Sequence, residues 1–353
     1  MSEINHRIQA FVKLGEFMGL FSQIPNAKDT NLKIDKGLID GFKHQLKLAE
    51  ENNGWFNKEN LSYALNQWSG ALTEENIKKW LSGYNINDVR PKTVAIVMAG
   101  NIPLVGFHDF LCVLIAGHSV LVKLSSNDKH LLPYLGKYLE YIEPSFKGKI
   151  KFTEEKFENY DAVIATGSDN TARYFEYYFG KKPNIIRKNR NSVAVLTGNE
   201  THEQLEALGE DIFRYYGLGC RSVSKLFVPE GYNFDAFFKA VYKYHPIINE
   251  NKYVNNYDYN KAVYLMSLFN TLENGFLMLK EDDSYASPIA TVFYEYYHDK
   301  KSLKEKLKID NDKIQCIVAN DFADNEVNFG ETQKPELWNY ADDVDTLKFL
   351  LDI

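Results

Sequence analysis

The chain has 353 residues, 44% of them hydrophobic and 25% charged, enough to bury a large core and to divide into two domains. A net charge of −7 argues against nucleic acid as a partner. Three cysteines with no CxxC and no paired spacing argue against a disulfide framework and against a metal site. The first residues, MSEINHRIQAFVKLGEF, form an amphipathic pattern with Glu3 and His6 and lack the basic and apolar blocks of a signal peptide. No apolar run is long enough to span a membrane, so the expectation is a protein that is not transmembrane and works in the cytoplasm, where a reactive thiol persists.

Residues 1–90 read as helices. Ile4, Ile8, Phe11, Gly15, Met18 and Phe21 share one helical face, and Pro25-Asn26-Ala27-Lys28 marks a loop after them. Leu38, Phe42, Leu46 and Ala49 make a second stripe that ends near Asn53-Gly54, and Leu61, Ala64, Leu65 and Trp68 a third. Thr73, with Glu74 and Glu75 after it, caps a fourth helix. This stretch supports a packing layer and carries no evident chemistry.

The period changes at Pro91. Thr93-Val94-Ala95-Ile96-Val97-Met98-Ala99 is a continuous apolar run, the mark of a strand buried on both faces. A helix is predicted over 104–116 and ended by Gly117. Strand 119–123, helix 131–141, strand 161–166, helix 171–179 and strand 192–197 follow. Such alternation implies a parallel sheet with helices on both faces, whose ligands bind beyond the carboxyl ends of the strands. Gly100-Asn101, Lys123 with Ser125-Ser126, Gly167-Ser168 and Thr197-Gly198-Asn199 occupy those ends. A helix over 201–216, a strand over 223–228, helical runs around 234–244 and 260–272, and strands at 288–293 and 314–319 make a second α/β unit. The charged run 300–308 reads as a solvated helix.

Tyr215-Tyr216-Gly217-Leu218-Gly219-Cys220-Arg221-Ser222 joins the helix over 201–216 to the strand over 223–228. Its two glycines allow a tight turn before Cys220, and Arg221 sets a positive charge beside the thiol, which favours the thiolate. A small buried thiol at a helix-to-strand turn fits the same residues. Cys112 in LCVLIA and Cys316 in QCIVA read as core residues. Asn101 suits an oxyanion donor and a helix N-cap about equally. Lys123 either snorkels to solvent or meets a bound polar group, and Ser125 and Ser126 beside it suit a ribose or phosphate. Gly167-Ser168 ahead of a helix offers N–H groups to a phosphate, although no GxGxxG is present.

In this order Asn101, Lys123, Gly167-Ser168 and Cys220 resemble the aldehyde dehydrogenase superfamily. GNIPLVGFHDFLCVLIAGHSVLVKLSSND resembles the segment holding its oxyanion asparagine and cofactor lysine. ATGSDNTAR resembles its pyrophosphate turn, and YYGLGCRSVSKLFVPEG the segment around its catalytic cysteine. Within the superfamily the chain is most similar to the long-chain acyl-CoA reductases, which include the fatty-acyl reductase component of bacterial bioluminescence. The likeness runs from Pro91 to Gly231 and extends to the tail GETQKPELWNYADDVDTLKFLLDI.

That resemblance implies an aldehyde-dehydrogenase-like α/β fold with an open parallel sheet in the cofactor domain. The N-terminal helices and NAD(P)-binding domain would take residues 1–198, and a second α/β catalytic domain 199–330. The tail 331–353 would pack back on the core or on a partner subunit. It implies Cys220 as nucleophile, Asn101 as oxyanion donor, and Lys123, Ser125, Ser126, Gly167 and Ser168 as cofactor contacts. It also implies an acyl-CoA substrate, with CoA as the leaving moiety, and a homodimer.

Two departures from the superfamily pattern refine this. Hydrolytic members carry a glutamate base where this chain has Ile186-Arg187-Lys188-Asn189-Arg190-Asn191, without a carboxylate, so water is poorly activated to release an acyl-enzyme. Arg187, Lys188 and Arg190 there suit either CoA phosphates or a solvated loop. Ser126 stands where NAD-preferring members place a glutamate, which points to NADPH, with NADH as the alternative. Asp282-Asp283-Ser284-Tyr285-Ala286-Ser287-Pro288 is a loose counterpart of the segment that holds the nicotinamide ribose. The expected enzyme is an NAD(P)H-dependent acyl-CoA reductase releasing a fatty aldehyde. Its rivals are a reductase of acyl phosphates, a reductase fed by an acyl-activating protein partner, and a silent acyl-binding paralogue. The 23 Tyr and 23 Phe suit a lipid tunnel or an aromatic core.

Overall fold

The apolar stripes at the start of the chain fold as α1 (Glu3–Gly19), α2 (Lys36–Asn52), α3 (Lys58–Ala71) and α4 (Glu74–Leu81). The computed structural model describes residues 3–22, 34–86, 89–167 and 169–353, so the loop expected at 25–28 lies outside the described residues. Thr73 caps α4 as the sequence predicts, accepting from the Asn76 N–H, and Asn57 caps α3 by accepting from the Asn60 N–H. Phe11, Leu14, Phe17 and Met18 form the buried face of α1, and the Phe17 ring stacks on Tyr138 with centroids 4.1 Å apart.

Next come β1 (Thr93–Val97), α5 (Phe107–Ala116), β2 (Ser119–Lys123), α6 (Leu131–Ile142), β3 (Ile150–Phe152), β4 (Ala162–Thr166), α7 (Asp169–Phe179) and β5 (Asn184–Arg187). The five strands pair in parallel in the order β3-β2-β1-β4-β5. Helix α5 is apolar on nearly every face and almost wholly buried. It stops at Gly117, whose φ of 103° only glycine adopts cheaply and whose N–H closes on Leu114 O.

The second sheet is built from β6 (Asn191–Val195), β7 (Val223–Pro229), β8 (Thr271–Glu273), β9 (Met278–Glu281), β10 (Thr291–Tyr297) and β11 (Ile314–Val318). Their order is β11-β6-β7-β10-β9-β8, parallel except for the edge strand β8. Helices α8 (His202–Phe213), α9 (Asp235–Val241), α10 (Asn251–Met266) and α11 (Lys300–Ile309) accompany it. A capping box starts α8, with Thr201 and Gln204 bonded reciprocally. The last helix is α12 (Thr346–Asp352).

The chain forms two units, 1–188 with 336–353 and 189–335. The boundary expected at 198 therefore moves. The strand expected at 192–197 is β6, and its partners are β7 and β11 of the second sheet. Val193 and Val195 enter one core of the second unit while Ala194 and Leu196 enter another, so both faces of β6 are committed there. The tail expected as one piece from 331 is also split: 331–335 stays in the second unit, and 336–353 returns to the first, where Leu337, Leu347 and Leu350 join its core. No helix among the described residues is long and apolar enough to cross a membrane.

Candidate active site

In the first unit, parallel pairing alone brings the expected cofactor residues to one edge. Gly100-Asn101 follows β1, Lys123 ends β2 with Ser125 and Ser126 after it, and Gly167 follows β4. Ser168 lies outside the described residues. Connections leave β1 towards β2 and β3 on one side and β4 and β5 on the other, so β1 and β4 flank the point where ligands of such sheets bind. Asn101 and Gly167 border that crevice.

The N-cap of α5 is Gly106, so Asn101 is not spent on starting that helix. Two residues that the sequence did not single out shape its loop. Asn53, at the end of α2, donates from Nδ2 to Gly100 O at 3.3 Å and to Asn127 O at 3.2 Å. Asp128 accepts the Leu104 N–H at 3.0 Å and so holds a residue whose φ is 57°. The second Asp128 oxygen, Oδ1, is buried without a hydrogen-bond partner among the described residues. Burial pushes this carboxyl up to about 6, against the one backbone N–H that lowers it.

Since the folded pKa lies above the unfolded one, the unfolded chain binds fewer protons in between. The Asp128 contribution to stability is therefore present in acid and falls as pH rises through about 6, by roughly 2–3 kcal/mol. Asp128→Asn keeps an oxygen for Leu104 and removes that slope. Urea unfolding of both proteins, at about pH 5 and about pH 7, should show their stability difference changing with pH; a constant difference would refute the assignment.

Ser125 sits directly beneath Gly100. A Cβ on Gly100 would lie 2.6 Å from Ser125 Cβ and 3.2 Å from Asp128 N, so the two loops touch through a glycine that cannot be enlarged. Gly100→Ala is expected to push Ser125 aside and to weaken any nicotinamide dinucleotide held at this edge by roughly tenfold, since ångström displacements in such sites cost one to two orders of magnitude. Fluorescence titration with NADPH checks this; unchanged affinity would show that Ser125 lies outside the cofactor contact.

The residues at this edge fit a nicotinamide dinucleotide. Lys123 Nζ carries three donors and reaches the Glu155 carbonyl at 3.4 Å, a weak engagement for an ammonium. Ser126 is exposed, and no carboxylate stands between Lys123 and Asn127 to repel a 2′-phosphate. Gly167 packs against the first turns of α7, where a Cβ would meet Thr171 and Phe175 at 3.0 Å. Its backbone thus stays close to the start of α7.

The second unit carries the thiol. Helix α8 stops at Phe213, short of the expected 216, because Tyr215, Tyr216 and Gly217 take φ of 54°, 59° and 76° in succession. The reversal lies there and not at Gly219, which is absent from the left-handed glycines. Both tyrosines are buried, and beneath the turn a cavity of about 20 Å³, lined by Phe213, Tyr216, Gly217 and Tyr253, has room for a single small group. Cys220 is exposed, whereas Cys112 and Cys316 are buried, so the reading of Cys220 as an enclosed structural thiol falls. Its carbonyl accepts from Ser192 Oγ at 3.0 Å, and the Ser222 N–H closes on Gly219 O at 2.9 Å, making a four-residue turn with Cys220 inside it.

Beyond the thiol, β7 staples the segment after Asp282. Ser224 Oγ donates to Tyr285 O at 2.7 Å. Lys225, fully buried, gives its three donors to Asp282 O (3.1 Å), Asp283 O (2.8 Å) and Glu295 Oε2 (2.7 Å). A buried lysine inside a strand pattern was the available signal for this network.

A family model for acyl-CoA reductase (LuxC) matches residues 39–241, more than half of the chain. The chain belongs to the acyl-CoA reductase (LuxC) family. The matched stretch contains Asn101, Lys123, Ser125, Ser126, Gly167, Ser168 and Cys220. Its fold is that of the aldehyde dehydrogenases. Aldehyde dehydrogenase 21 from Physcomitrella patens, solved with succinate, superposes with a TM-score of 0.67 at 14% identity, covering 100% of this chain and 84% of the other. KauB from Pseudomonas aeruginosa gives 0.59 at 13% identity, covering 94% and 78%. A Bacillus cereus aldehyde dehydrogenase solved with NAD⁺ gives 0.57 at 12% identity, covering 90% and 76%. No curated protein matches the sequence.

In this member of the family the basic segment 187–190 is engaged by protein groups. Arg187 is buried and bonded within the first unit to Asp109 Oδ1 (2.7 Å), Ala341 O (2.7 Å) and Thr346 Oγ1 (2.9 Å), so it is not available to CoA phosphates. Lys188 pairs with Glu176 at 3.0 Å. Arg190 reaches Asn311 O and Ile314 O. The Arg221 guanidinium, expected beside the Cys220 thiol, lies 3.3 Å from Cys316 Sγ. Of the two readings of the aromatics, a core is what Phe11, Phe42, Phe107 and Phe110 form, while Tyr174, Tyr177 and Tyr178 are exposed. A cleft of about 510 Å³ among His6, Lys13, Glu74, Lys78 and Glu143 lies by the end of α6, away from the carboxyl edge of the strands. No cluster of metal-ligating side chains occurs among the described residues.

Proposed function

We propose that the protein reduces a long-chain acyl-CoA to the fatty aldehyde, with NADPH as reductant and Cys220 as the acyl carrier. The observation that carries this is the exposure of Cys220, alone of the three cysteines, on a built turn inside the family-matched stretch. The Cys220 thiolate attacks the thioester carbonyl. The Asn101 amide and the Cys220 N–H donate to the oxyanion, the intermediate collapses, and CoA leaves as its thiolate, so the acyl group is held as a thioester on Cys220. Bound at the edge carrying Lys123, Ser125, Ser126, Gly167 and Ser168, NADPH supplies the hydride that this acyl carbon accepts. The resulting thiohemiacetal on Cys220 expels the thiolate and releases aldehyde. With no glutamate base in 186–191, hydrolysis of the acyl-enzyme does not compete.

A second reading has support of its own. Arg187 is buried and Lys188 and Arg190 are engaged by protein groups, so of the two readings of this segment the one that binds CoA phosphates is the weaker supported. Acyl groups handed over by an acyl-activating protein partner, or presented as acyl phosphate, need no such site. Oxidation of NADPH and NADH with acyl-CoAs of graded length, acyl phosphate and acyl adenylate decides. Turnover with acyl-CoA alone supports the first reading, and turnover only with the activated acids supports the second. A cytoplasmic homodimer belongs to the same proposal, and light scattering of the purified protein tests the dimer.

A further inference from the structure

Gly330-Glu331-Thr332-Gln333, in the tail segment that the proposed chemistry leaves unused, reaches both flanks of the cysteine turn within the second unit. On one side Asp211 of α8, wholly buried, accepts the Gly330 N–H at 2.7 Å, the Thr332 N–H at 3.0 Å and the Thr332 hydroxyl at 2.8 Å. Gly330 has a φ of 82° and a Cβ there would stand 3.1 Å from Ala207 Cβ, so the segment lies flat on α8. On the other side Gln333 Nε2 donates to Ser222 Oγ at 3.2 Å, with both residues buried. Ser222 is the residue whose N–H closes the turn around Cys220 on Gly219 O.

We propose that Gln333 is a positioning residue for Cys220: carried on a segment anchored by Asp211, it fixes Ser222 and with it the turn that aims the Cys220 N–H and thiol. The role rests on Cys220 being the nucleophile. Besides the chain itself, Ser192 on the Cys220 carbonyl, Cys316 Sγ on the Arg221 guanidinium and Gln333 on the Ser222 hydroxyl hold the turn, and of these three Gln333 comes from the segment most distant in sequence. Buried polar groups that merely satisfy one another would affect stability and leave the turn's geometry to its own backbone. A positioning role predicts changes local to residues 217–223.

The full chain carrying Gln333→Ala, Ser222→Ala or both is compared with the parent in two measurements that need no acyl substrate. Hydrogen–deuterium exchange follows the amides of 217–223, and peptide mapping follows the rate of Cys220 alkylation by iodoacetamide against pH. Gln333→Ala is expected to speed exchange in that peptide by about tenfold and to shift the alkylation profile. Ser222→Ala should do the same and the double variant no more, because both remove one interaction. Single-turnover acylation of Cys220 should slow by about tenfold with the KM for NADPH unchanged. Unchanged exchange and alkylation, additive losses, or faster exchange with an unaltered acylation rate each overturn the proposal. If Gln333→Ala does not fold, Ser222→Ala carries the comparison from the other end of the bond. A parent that does not acylate would refute the proposed function while leaving exchange and alkylation to judge the clamp.

Discussion

Serine in place of Cys220 is expected to leave the chain folded and to abolish transfer of the acyl group from radiolabelled acyl-CoA. The side chain is exposed, and the hydrogen bond from Ser192 to the Cys220 carbonyl survives the substitution. What is lost is nucleophilicity, because a serine hydroxyl without an adjacent base stays protonated where a thiol is partly thiolate. Turnover should drop by at least about 10³-fold, the order seen when a covalent nucleophile is removed. Cys112 serves as the control. Burial raises its thiol well above the ordinary range, so Cys112→Ser should leave labelling intact. Full labelling of the Cys220→Ser protein would refute the thioester.

Breaking the buried ion pair between Arg187 and Asp109 should be the most destabilising single change in the first unit. The guanidinium and carboxylate are 5% and 10% exposed, and the charge on Arg187 also satisfies Ala341 O and Thr346 Oγ1. Arg187→Ala orphans a carboxylate in the core, and Asp109→Ala orphans a cation; either is expected to cost about 3–5 kcal/mol in urea unfolding. The double replacement Arg187→Met with Asp109→Leu should recover most of that, because the penalty comes from the unpaired charge. A loss below about 1 kcal/mol for both single variants would place the pair among exposed bridges of little consequence.

The strands that carry the site were legible because their apolar runs leave no face for water: β1, β2 and β4 fall within two residues of where hydropathy puts them. Edge strands β3 and β5, of three and four residues, are too short to make such a run. The sheet to which β6 belongs was illegible, since a buried parallel strand reads alike in either sheet and only its partners decide. Apolar spacing continues through Tyr215 and Tyr216, so nothing local announces that two tyrosines adopt left-handed φ; burial of their rings overrides backbone preference. In the site, residue types at strand ends were readable. The supports from Asn53, Asp128 and Gln333 were not, because each bond spans between 24 and 111 residues of chain. The direction of Arg221, towards Cys316, is likewise set by strand neighbours and not by sequence neighbours.

The return of residues 336–353 to the first unit has a consequence for biosynthesis. Synthesis proceeds from the N-terminus, so the stretch 189–335 is complete and able to fold while the first unit still lacks part of its core. Until residues 336–353 emerge, the surface of α5 that receives α12 is bare. Trp80 Nε1, His108 Nε2 and His118 Nε2 then wait for Tyr340, the Leu337 carbonyl and the Leu350 carbonyl. The first unit, begun before the second, is thus completed after it, and that interval is when a nascent chain would most need a chaperone.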